Sequence, residues 1–301
     1  MKSIPAFLAS LLFLLAGSLS QAAEPVRILF FSKSSGFEHP VISWKKGKPS
    51  YAENVLSGMA EKNNWSFEFS KDGSKFSDDY LKQFDTIIFY TSGDLTKKGR
   101  DKQPPMSKEG VQALFDYVRN GGGFIGLHCA SDTFHTSGKG KHKELDKFGN
   151  NACPGEFIGM VGGEFIGHGP QQEATNRVIN PKFPGYGKLG DSFTLFEEWY
   201  AMKNFNPDMH ALTVIEPKGL KEKRRTVYNR PPYPTSWARM EDKGRVYYNA
   251  MGHREDVWDS ELFQNMIIGA VDWTRGAVDV DIPANLEECA PDFRVLNSDD
   301  K

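Results

Sequence analysis

Four histidines lie where the sequence pattern predicts functional loops. Each follows an apolar run or stands beside glycine in a short segment: His39, His128, His168 and His253. Histidine changes its charge near neutral pH and is the commonest metal ligand. One such residue alone is typical of a hydrogen-bonded loop, but the set indicates acid/base chemistry, a divalent metal or a bound ligand. The other histidines lack this context, and we predict that they lie at the surface: His135, His142 and His210.

Two adjacent carboxylates, Glu197 and Glu198, end a predicted strand. Because side chains alternate along a strand, only one of them can face a given side of the sheet. A carboxylate beside a histidine selects its tautomer or acts as its acid/base partner. A solvated sheet edge is equally consistent with the pair, so both interpretations stay open here.

The segment Gly126-Leu127-His128-Cys129-Ala130 follows a buried run and resembles the nucleophile elbow of class I glutamine amidotransferases. In this alignment His128 occupies the position of the nucleophilic cysteine, and Cys129 comes one residue late. An elbow exposes one residue at its turn, which favours acid/base or metal chemistry at His128. A cysteine hydrolase that uses Cys129 stays open, because a histidine could serve as the base that forms its thiolate.

Apolar runs in the first half predict the strands that position these residues. They cover Val26–Phe31, Trp65–Phe69, Phe84–Tyr90 and Phe124–His128. A helical repeat begins at Tyr51, and Ser107 is a candidate N-cap of a second helix. This order is typical of a doubly wound α/β sheet, whose ligands bind beyond the carboxyl ends of the strands. We therefore expect His39, Ser92–Asp94 and His128–Asp132 to lie close together.

The second half predicts short strands with hairpin-type connections and then a closing helix. The strands cover residues 173–179, 193–202, 211–215, 235–240 and 245–250, and the helix carries Leu262, Met266, Ala270 and Trp273. Some side chains near these elements could bind a sugar. Trp44, Trp199, Tyr200 and Trp237 could stack on its ring, with Asp132 and Arg245 hydrogen-bonding its hydroxyls, although aromatic residues at strand spacing are more often part of a core.

Composition excludes several classes of protein. The chain has 301 residues, 25% of them charged, and a formal net charge of -2, which is inconsistent with a basic nucleic-acid binder or a disordered chain. The glycines at 121–123 precede a strand, whereas a phosphate-binding loop must follow one and open a helix. We expect no nucleotide cofactor and no nucleic-acid partner.

The N-terminus predicts export. A nearly continuous apolar run from Ile4 to Gly17 follows Lys2, and the small residues Ser20 and Ala22 indicate signal-peptide cleavage after Ala22. The run is too short to span a bilayer, so we expect a periplasmic or secreted protein with no membrane span after cleavage. In an oxidising compartment, Cys153 and Cys289 are a candidate disulfide pair, because both lie in loop-like contexts, and Cys129 is the candidate free thiol.

The ordered motifs resemble those of the ThuA family. They are S-x-G-F-x-H, G-G-G-F-x-G-L-H, G-G-x-F-x-x-H, E-E-W-Y, P-x-S-W and G-R-V-x-Y-x-x-x-G-H, and they span roughly residues 26–276. The resemblance implies a flavodoxin-like, class I glutamine amidotransferase-like three-layer sandwich, with a mostly parallel central sheet and added β-hairpin strands in the second half. Residues 23–301 would form one domain, with a core at 26–276 and a C-terminal tail at 277–301.

The family is associated with carbohydrate utilisation, including disaccharides oxidised at the 3 position. By position, the resemblance implies a crevice lined by His39, His128, His168, Glu198 and His253. Our leading hypothesis is an exported hydrolase, lyase or isomerase that acts on a small-molecule carbohydrate by proton transfer. The acid/base groups are His128 and Glu198, while His39 and His253 polarise an oxygen directly or through a divalent metal, for which His128 is a further candidate ligand.

In the same hypothesis, the substrate is held by Trp44, Asp132, His168, Trp237 and Arg245. Two alternatives remain at this point. One is a non-catalytic sugar-binding or scaffold protein on a degenerate amidotransferase fold. The other is the cysteine hydrolase that uses Cys129.

Overall fold

The structure is a computed structural model that describes residues 24–136, 150, 154–223 and 226–297. The strands are β1 (Val26–Phe31), β2 (Trp65–Ser70), β3 (Thr86–Phe89), β4 (Gly123–Leu127), β5 (Glu164–His168), β6 (Gln172–Val178), β7 (Ser192–Glu197), β8 (Tyr200–Lys203), β9 (His210–Ile215), β10 (Tyr233–Glu241) and β11 (Gly244–Asn249). The α-helices are α1 (Tyr51–Asn63), α2 (Asp78–Leu81), α3 (Lys108–Arg119), α4 (Glu156–Val161), α5 (Glu255–Asp259), α6 (Glu261–Thr274) and α7 (Leu286–Cys289). Short 3-10 helices cover Pro40–Ile42, Gly73–Lys75 and His128–Asp132.

A nine-stranded sheet forms the centre of the fold, in the order β2-β1-β3-β4-β11-β10-β9-β6-β7. Strands β2, β1, β3, β4 and β11 are parallel, and the remaining neighbours pair antiparallel. Only β10 and β6 run against the other strands of this sheet. The predicted mostly parallel sheet, with antiparallel strands added by the second half, is confirmed.

Helices cover both faces of the parallel part of the sheet, which explains the continuous apolar run in β1. Phe30 and Phe31 are both fully buried and point to opposite faces. The Phe30 ring packs against Trp258 of α5, and the Phe31 ring packs against Phe76 on the other face. The three-layer arrangement follows, and it matches the predicted fold class.

Serines begin the long helices. Ser50 and Glu53 form a capping box at the start of α1, and the Ser107 side chain accepts a hydrogen bond from Gly110 N at the start of α3. Ser260 caps α6 in the same way. The prediction that Ser107 caps a helix is confirmed.

One strand prediction is wrong. Residues 193–202 form two strands in different sheets, because the chain leaves the nine-stranded sheet at Glu197. After Glu198 and Trp199 it continues as β8, which pairs with β5 in a two-stranded sheet. The break places Glu198 in a connection between strands, where its side chain is not restricted to a face of the sheet.

The loops at the carboxyl end of the parallel strands converge as expected. Gly93 N donates to Asp132 O at 2.8 Å, and Ser92 Oγ donates to Phe37 O at 2.7 Å. The loops after β1, β3 and β4 therefore meet at one edge of the sheet. This edge carries the histidines described below.

Several predictions concern residues outside the described ranges: the signal peptide at 1–22, His142 and Cys153. The Cys289 Sγ atom, at the end of α7, lies 3.9 Å from Leu286 O. Because its predicted partner Cys153 lies outside the described residues, the Cys153–Cys289 disulfide stays a prediction. In the tail, Leu286 and Phe293 are buried against the core. Across the described part of the chain, no helix has both the length and the apolar character required to cross a membrane.

Candidate functional site

Four side chains converge at the carboxyl edge of the parallel strands: His39, His128, Glu198 and His253. One nitrogen or oxygen atom from each lies within 4.8 Å of the corresponding atoms of the other three. The imidazole ring centroids are 4.9 to 5.3 Å apart, and the rings meet edge to face. We call these four residues the histidine cluster.

His128 occupies a sharp turn directly after β4. Its backbone is left-handed, with φ of 43°, an unusual conformation for a residue other than glycine. The Nδ1 atom lies 2.8 Å from Ala250 O at the end of the adjacent β11, and a bond to a carbonyl requires a proton on Nδ1. Nε2, on the other side of the ring, therefore faces the cluster, where this buried atom has no hydrogen-bond partner among the described residues.

His39 enters the cluster from the loop after β1. Its Nε2 atom lies 3.3 Å from the hydroxyl of Tyr200, and its buried Nδ1 atom has no partner within the described ranges. Burial, reinforced by the neighbouring His128 and His253, lowers the pKa of His39 well below its ordinary value. His39 is thus held as a neutral imidazole.

Glu197 positions the loop that carries His253. It is fully buried, and its carboxylate accepts hydrogen bonds from the backbone N–H groups of Glu198, Gly252 and His253. The Gly252 carbonyl is fixed in turn by the Tyr90 hydroxyl at 2.9 Å. Alternation along a strand predicts that the two carboxylates face different sides, but no local signal in the sequence indicates this role of Glu197.

Glu198 contributes the carboxylate of the cluster. Its Oε2 lies 3.1 Å from His253 Nδ1 and 3.8 Å from His128 Nε2, and its Oε1 lies 3.0 Å from His168 Nδ1. Burial acts against its ionisation, but the imidazoles of His128 and His253 outweigh burial and hold the pKa of Glu198 well below its usual range. Glu198 is ionised, and because its side chain is only 9% exposed and faces three histidines, the solvated-edge interpretation is wrong for this residue.

Three predicted substrate-binding residues lie at the same edge of the sheet. His168 contacts Glu198 and retains partial exposure, so it joins the site from the outside. Asp132 lies in the same 3-10 helix as His128, and its carboxylate pairs with His135. Trp44 has an exposed ring on the loop that carries His39, and its Nε1 donates to the Glu53 carboxylate at 2.8 Å.

Two other predicted substrate-binding residues are elsewhere. Trp237 is fully buried, with Nε1 donating to Val161 O at 2.7 Å and its ring stacked on Tyr248. Arg245 lies at the amino end of β11, opposite the cluster, and donates to Trp273 O at 2.9 Å. Neither side chain can bind a ligand at the cluster, because one packs in the core and the other serves the opposite edge of the sheet.

The surface assignments of two histidines are also wrong. His210 is buried between Asn180 and the Pro283 carbonyl. His135 bonds to Asp132 and to the fully buried Glu164, at 2.9 Å for the latter. Local sequence context misses both, because Asn180, Pro283 and Glu164 are distant from these histidines along the chain, whereas Asp132 is close to His135 in sequence.

Cys129 follows His128 in sequence but is not a member of the histidine cluster. Its side chain is fully buried, and burial raises the pKa of its thiol well above the ordinary value. A thiol of this kind is inert, since the thiolate is the reactive form. The structure therefore disfavours a cysteine hydrolase that uses Cys129.

The donor atoms of the cluster suit a divalent cation. Three imidazoles and one carboxylate form a ligand set typical of zinc and related transition metals. His128 also shows the outer hydrogen bond that metal-bound histidines commonly make, from its second ring nitrogen to a carbonyl.

The comparison with known families agrees with this architecture. The model of the ThuA family, described as trehalose utilisation, matches residues 27–274. The chain belongs to the ThuA family. The match covers the whole of the nine-stranded sheet except the first residue of β1, and it includes every member of the histidine cluster.

Two solved ThuA-like proteins share the fold. The protein from Bacteroides uniformis has a TM-score of 0.62 and 21% sequence identity, with 85% of this chain and 94% of that chain covered. The protein from Parabacteroides merdae has a TM-score of 0.55 and 15% identity, with 90% and 100% covered. No curated protein sequence matches this ThuA-family chain.

Proposed function

We propose that this ThuA-family protein is a carbohydrate-processing enzyme whose histidine cluster holds a divalent cation. One observation carries the proposal: three imidazoles and one carboxylate each bring a ligand atom within 4.8 Å of the others, and the buried atoms His39 Nδ1 and His128 Nε2 have no hydrogen-bond partner among the described residues. Buried polar atoms without partners are costly, so two of them in such a cluster indicate a ligand that satisfies them. The family's association with trehalose utilisation supports a sugar substrate.

The dimensions of the cluster support a cation. Bonds of about 2.1 Å place two ligand atoms about 3.4 Å apart in a tetrahedral site and about 4.2 Å apart when they face each other across an ion. The four donor atoms lie within 4.8 Å of one another, so a small contraction brings them to bonding distance.

The residues around the cluster have separate tasks in this proposal. A bound cation would polarise a carbonyl or hydroxyl oxygen of the sugar. The buried His39, His128 and His253 serve as ligands, so His168, with a side chain 29% exposed, becomes the proton-transfer group. Burial lowers the pKa of His168, which keeps its ring neutral and able to accept a proton.

Glu198 joins the two parts of the site, since its oxygens face His253 on one side and His168 on the other. A negative charge there orients the His168 ring and stabilises its protonated form during transfer. Tyr200 fixes the His39 ring through its hydroxyl.

The test combines metal analysis with a substrate screen. We expect the purified protein to contain a stoichiometric transition metal and to lose it in His128→Asn. Asparagine is chosen because it tolerates the left-handed backbone at this position. His210→Asn is the matched control, since it also removes one imidazole but lies outside the cluster.

Turnover is measured with trehalose and with 3-keto disaccharides. We expect activity that depends on the metal and falls in His168→Gln while the metal stays bound. Equal metal content in wild type and His128→Asn would reject the metal site. A full complement of metal with sugar binding but no turnover would favour the non-catalytic sugar-binding alternative.

We also propose that the protein is exported to the periplasm or secreted, on the basis of residues 1–22. Sequencing the N-terminus of the protein recovered from its native cells tests this proposal. A first residue of Ala23 is expected, and a mature protein that retains Met1 or Lys2 would contradict export by cleavage.

A further inference from the structure

A cleft of about 490 Å³ lies within the long connection between β9 and β10, residues 216–232. Residues 216–222 and 228–232 supply its lining, so both arms of the connection enclose it. The volume is within the usual range for small-molecule sites. The described residues that line the cleft include no member of the histidine cluster, so it is separate from the site described above.

Arg230 brings a buried positive charge to this cleft. Only 5% of its surface is exposed, and its guanidinium lies over the Tyr233 ring, 4.3 Å from the centroid. Its Nη1 atom donates to Met202 O at 2.5 Å, and its Nη2 atom donates to Phe293 O at 2.9 Å. Its buried Nε atom has no hydrogen-bond partner among the described residues. The guanidinium is therefore fixed by two carbonyls but retains a donor that no described residue uses.

Arg230 also lacks an anionic partner in the described part of the chain. Burial lowers the pKa of Arg230 to about 10, and no described carboxylate counteracts this effect, so the guanidinium is charged at neutral pH but not neutralised. A buried charge without a partner is unfavourable. Because arginine binds carboxylates and phosphates with particularly good geometry, the missing partner indicates an anionic ligand.

The two carboxylates that line the cleft are engaged elsewhere. Glu222 accepts hydrogen bonds from Val227 N at 2.9 Å and from Tyr228 N at 2.7 Å, one on each oxygen. Glu216 pairs with Arg177 at 2.7 Å. These bonds stabilise the connection and leave the Arg230 guanidinium for a ligand.

Further basic side chains lie on the same connection: Lys218, Lys221 and Lys223. Lys218 is exposed and lines the cleft itself. The chain as a whole has a formal net charge of -2, so this concentration of positive charge is a local feature. Positive charge around a cleft raises the local concentration of anions.

We propose that this cleft binds a small oxyanion, a carboxylate or a phosphate, whose charge is matched by Arg230. Lys218 adds an exposed ammonium group at the same cleft. The proposal goes beyond the proposed function and does not depend on it, since the residues that carry it lie outside the histidine cluster.

Isothermal titration calorimetry with the full chain tests the proposal, with inorganic phosphate and succinate as the probes and sodium chloride at matched ionic strength as the reference. We expect the wild type to bind one phosphate or one succinate per chain. Binding of phosphate alone would identify a phosphoryl ligand, and binding of succinate alone would identify a carboxylate ligand. Loss of a charged hydrogen bond corresponds to about a 10- to 100-fold weakening, which we expect in Arg230→Gln.

Two exposed lysines provide a matched comparison that leaves the buried structure intact. Lys218→Gln should weaken binding about two- to fivefold, as expected for loss of one exposed charge at the cleft. Lys188→Gln removes the same charge from an exposed position outside the cleft and should leave affinity unchanged. His128→Asn should also bind the anion like the wild type, which separates this cleft from a cation at the histidine cluster.

The proposal is overturned if neither anion binds the wild type, if folded Arg230→Gln binds as tightly as the wild type, or if His128→Asn abolishes binding. Should Arg230→Gln fail to fold, equal affinities of Lys218→Gln and Lys188→Gln would overturn it instead. Metal content and turnover judge the proposed function separately, so either result can fail without the other.

Discussion

At the scale of single residues, the adjacent Glu197 and Glu198 have different roles. Glu198 faces the imidazoles of the cluster, whereas Glu197 accepts three backbone N–H groups, two of them from the loop that carries His253. The backbone bonds of Glu197 determine where Glu198 and His253 lie relative to each other. The geometry of the cluster therefore depends on a carboxylate that does not belong to it.

We predict that Glu197→Gln lowers the free energy of unfolding by about 3 kcal/mol, because an amide can accept on one side only and turns its own N–H₂ toward backbone donors. Chemical denaturation measures the change. Glu216→Gln is the control, since its exposed pair with Arg177 should contribute less than about 1 kcal/mol. Equal effects of the two substitutions would show that Glu197 does not organise the loop.

His135 supplies a pH-dependent contribution to stability. Burial opposes its protonation, but hydrogen bonds to Asp132 and Glu164 outweigh burial and raise the pKa of His135 to about 9. Because the folded pKa lies above the unfolded value of about 6.5, the protonated ring stabilises the protein fully below pH about 6.5. The contribution is lost as the pH rises through the folded value.

We predict that His135→Gln destabilises the protein on the order of 2–3 kcal/mol below pH about 6.5, and progressively less toward pH about 9. The difference in free energy of unfolding between wild type and variant is measured by urea denaturation across this range. Because the two proteins share every titratable group except the one at residue 135, the difference between their unfolding free energies isolates the contribution of His135. A difference that grows with pH would contradict the assignment.

At the scale of elements, α6 packs unusually close to the loop at Pro184. A Cβ atom added at Gly269 would lie 1.9 Å from Pro184 O, so only glycine allows this approach. In α1, by contrast, a Cβ at Gly58 would meet no atom within 4 Å. Both glycines lie in helix interiors, and their surroundings alone distinguish them.

We predict opposite effects for alanine at these two positions. Gly269→Ala should destabilise the protein by about 1–3 kcal/mol, because α6 or the loop must move. Gly58→Ala should stabilise it by about 0.5–1 kcal/mol, because alanine has the higher helix propensity. Thermal unfolding of the two variants checks the signs, and destabilisation by Gly58→Ala would contradict the propensity argument.

At the scale of the whole molecule, the histidine cluster joins segments that are far apart in sequence, from His39 after β1 to His253 after β11. A cation held there would link the parallel core to the strands added by the second half. Because the unfolded chain does not assemble the four ligands, binding would stabilise the folded state.

We predict that chelation lowers the free energy of unfolding, by about 2.7 kcal/mol for a metal initially present at 100 times its dissociation constant. Restoring the metal should restore the stability. The His128→Asn variant should respond to neither treatment. Superimposable unfolding curves of the wild type before and after chelation would contradict a structural contribution of the metal.

The sequence predicted much of the site for a simple physical reason. Parallel strands deliver their following loops to one edge of the sheet, so the residues after β1, β3 and β4 could be expected to meet. That reasoning located His39 and His128. The predicted ligand-binding role does not hold for Trp237 and Arg245, because a strand pattern does not show at which end or on which face of the sheet a side chain lies. Trp237 packs in the core, and Arg245 lies at the opposite edge of the sheet.

By itself, the sequence determined the class of fold and the family, since apolar runs, serine caps and ordered motifs are local signals that survive without tertiary context. Only the tertiary structure decided which atoms face one another. The break between β7 and β8 that frees Glu198, the bond that orients His128 and the buried thiol of Cys129 all depend on contacts with distant segments. The direction and the burial of a side chain depend on its neighbours in space, and these neighbours cannot be read directly from the order of residues along the chain.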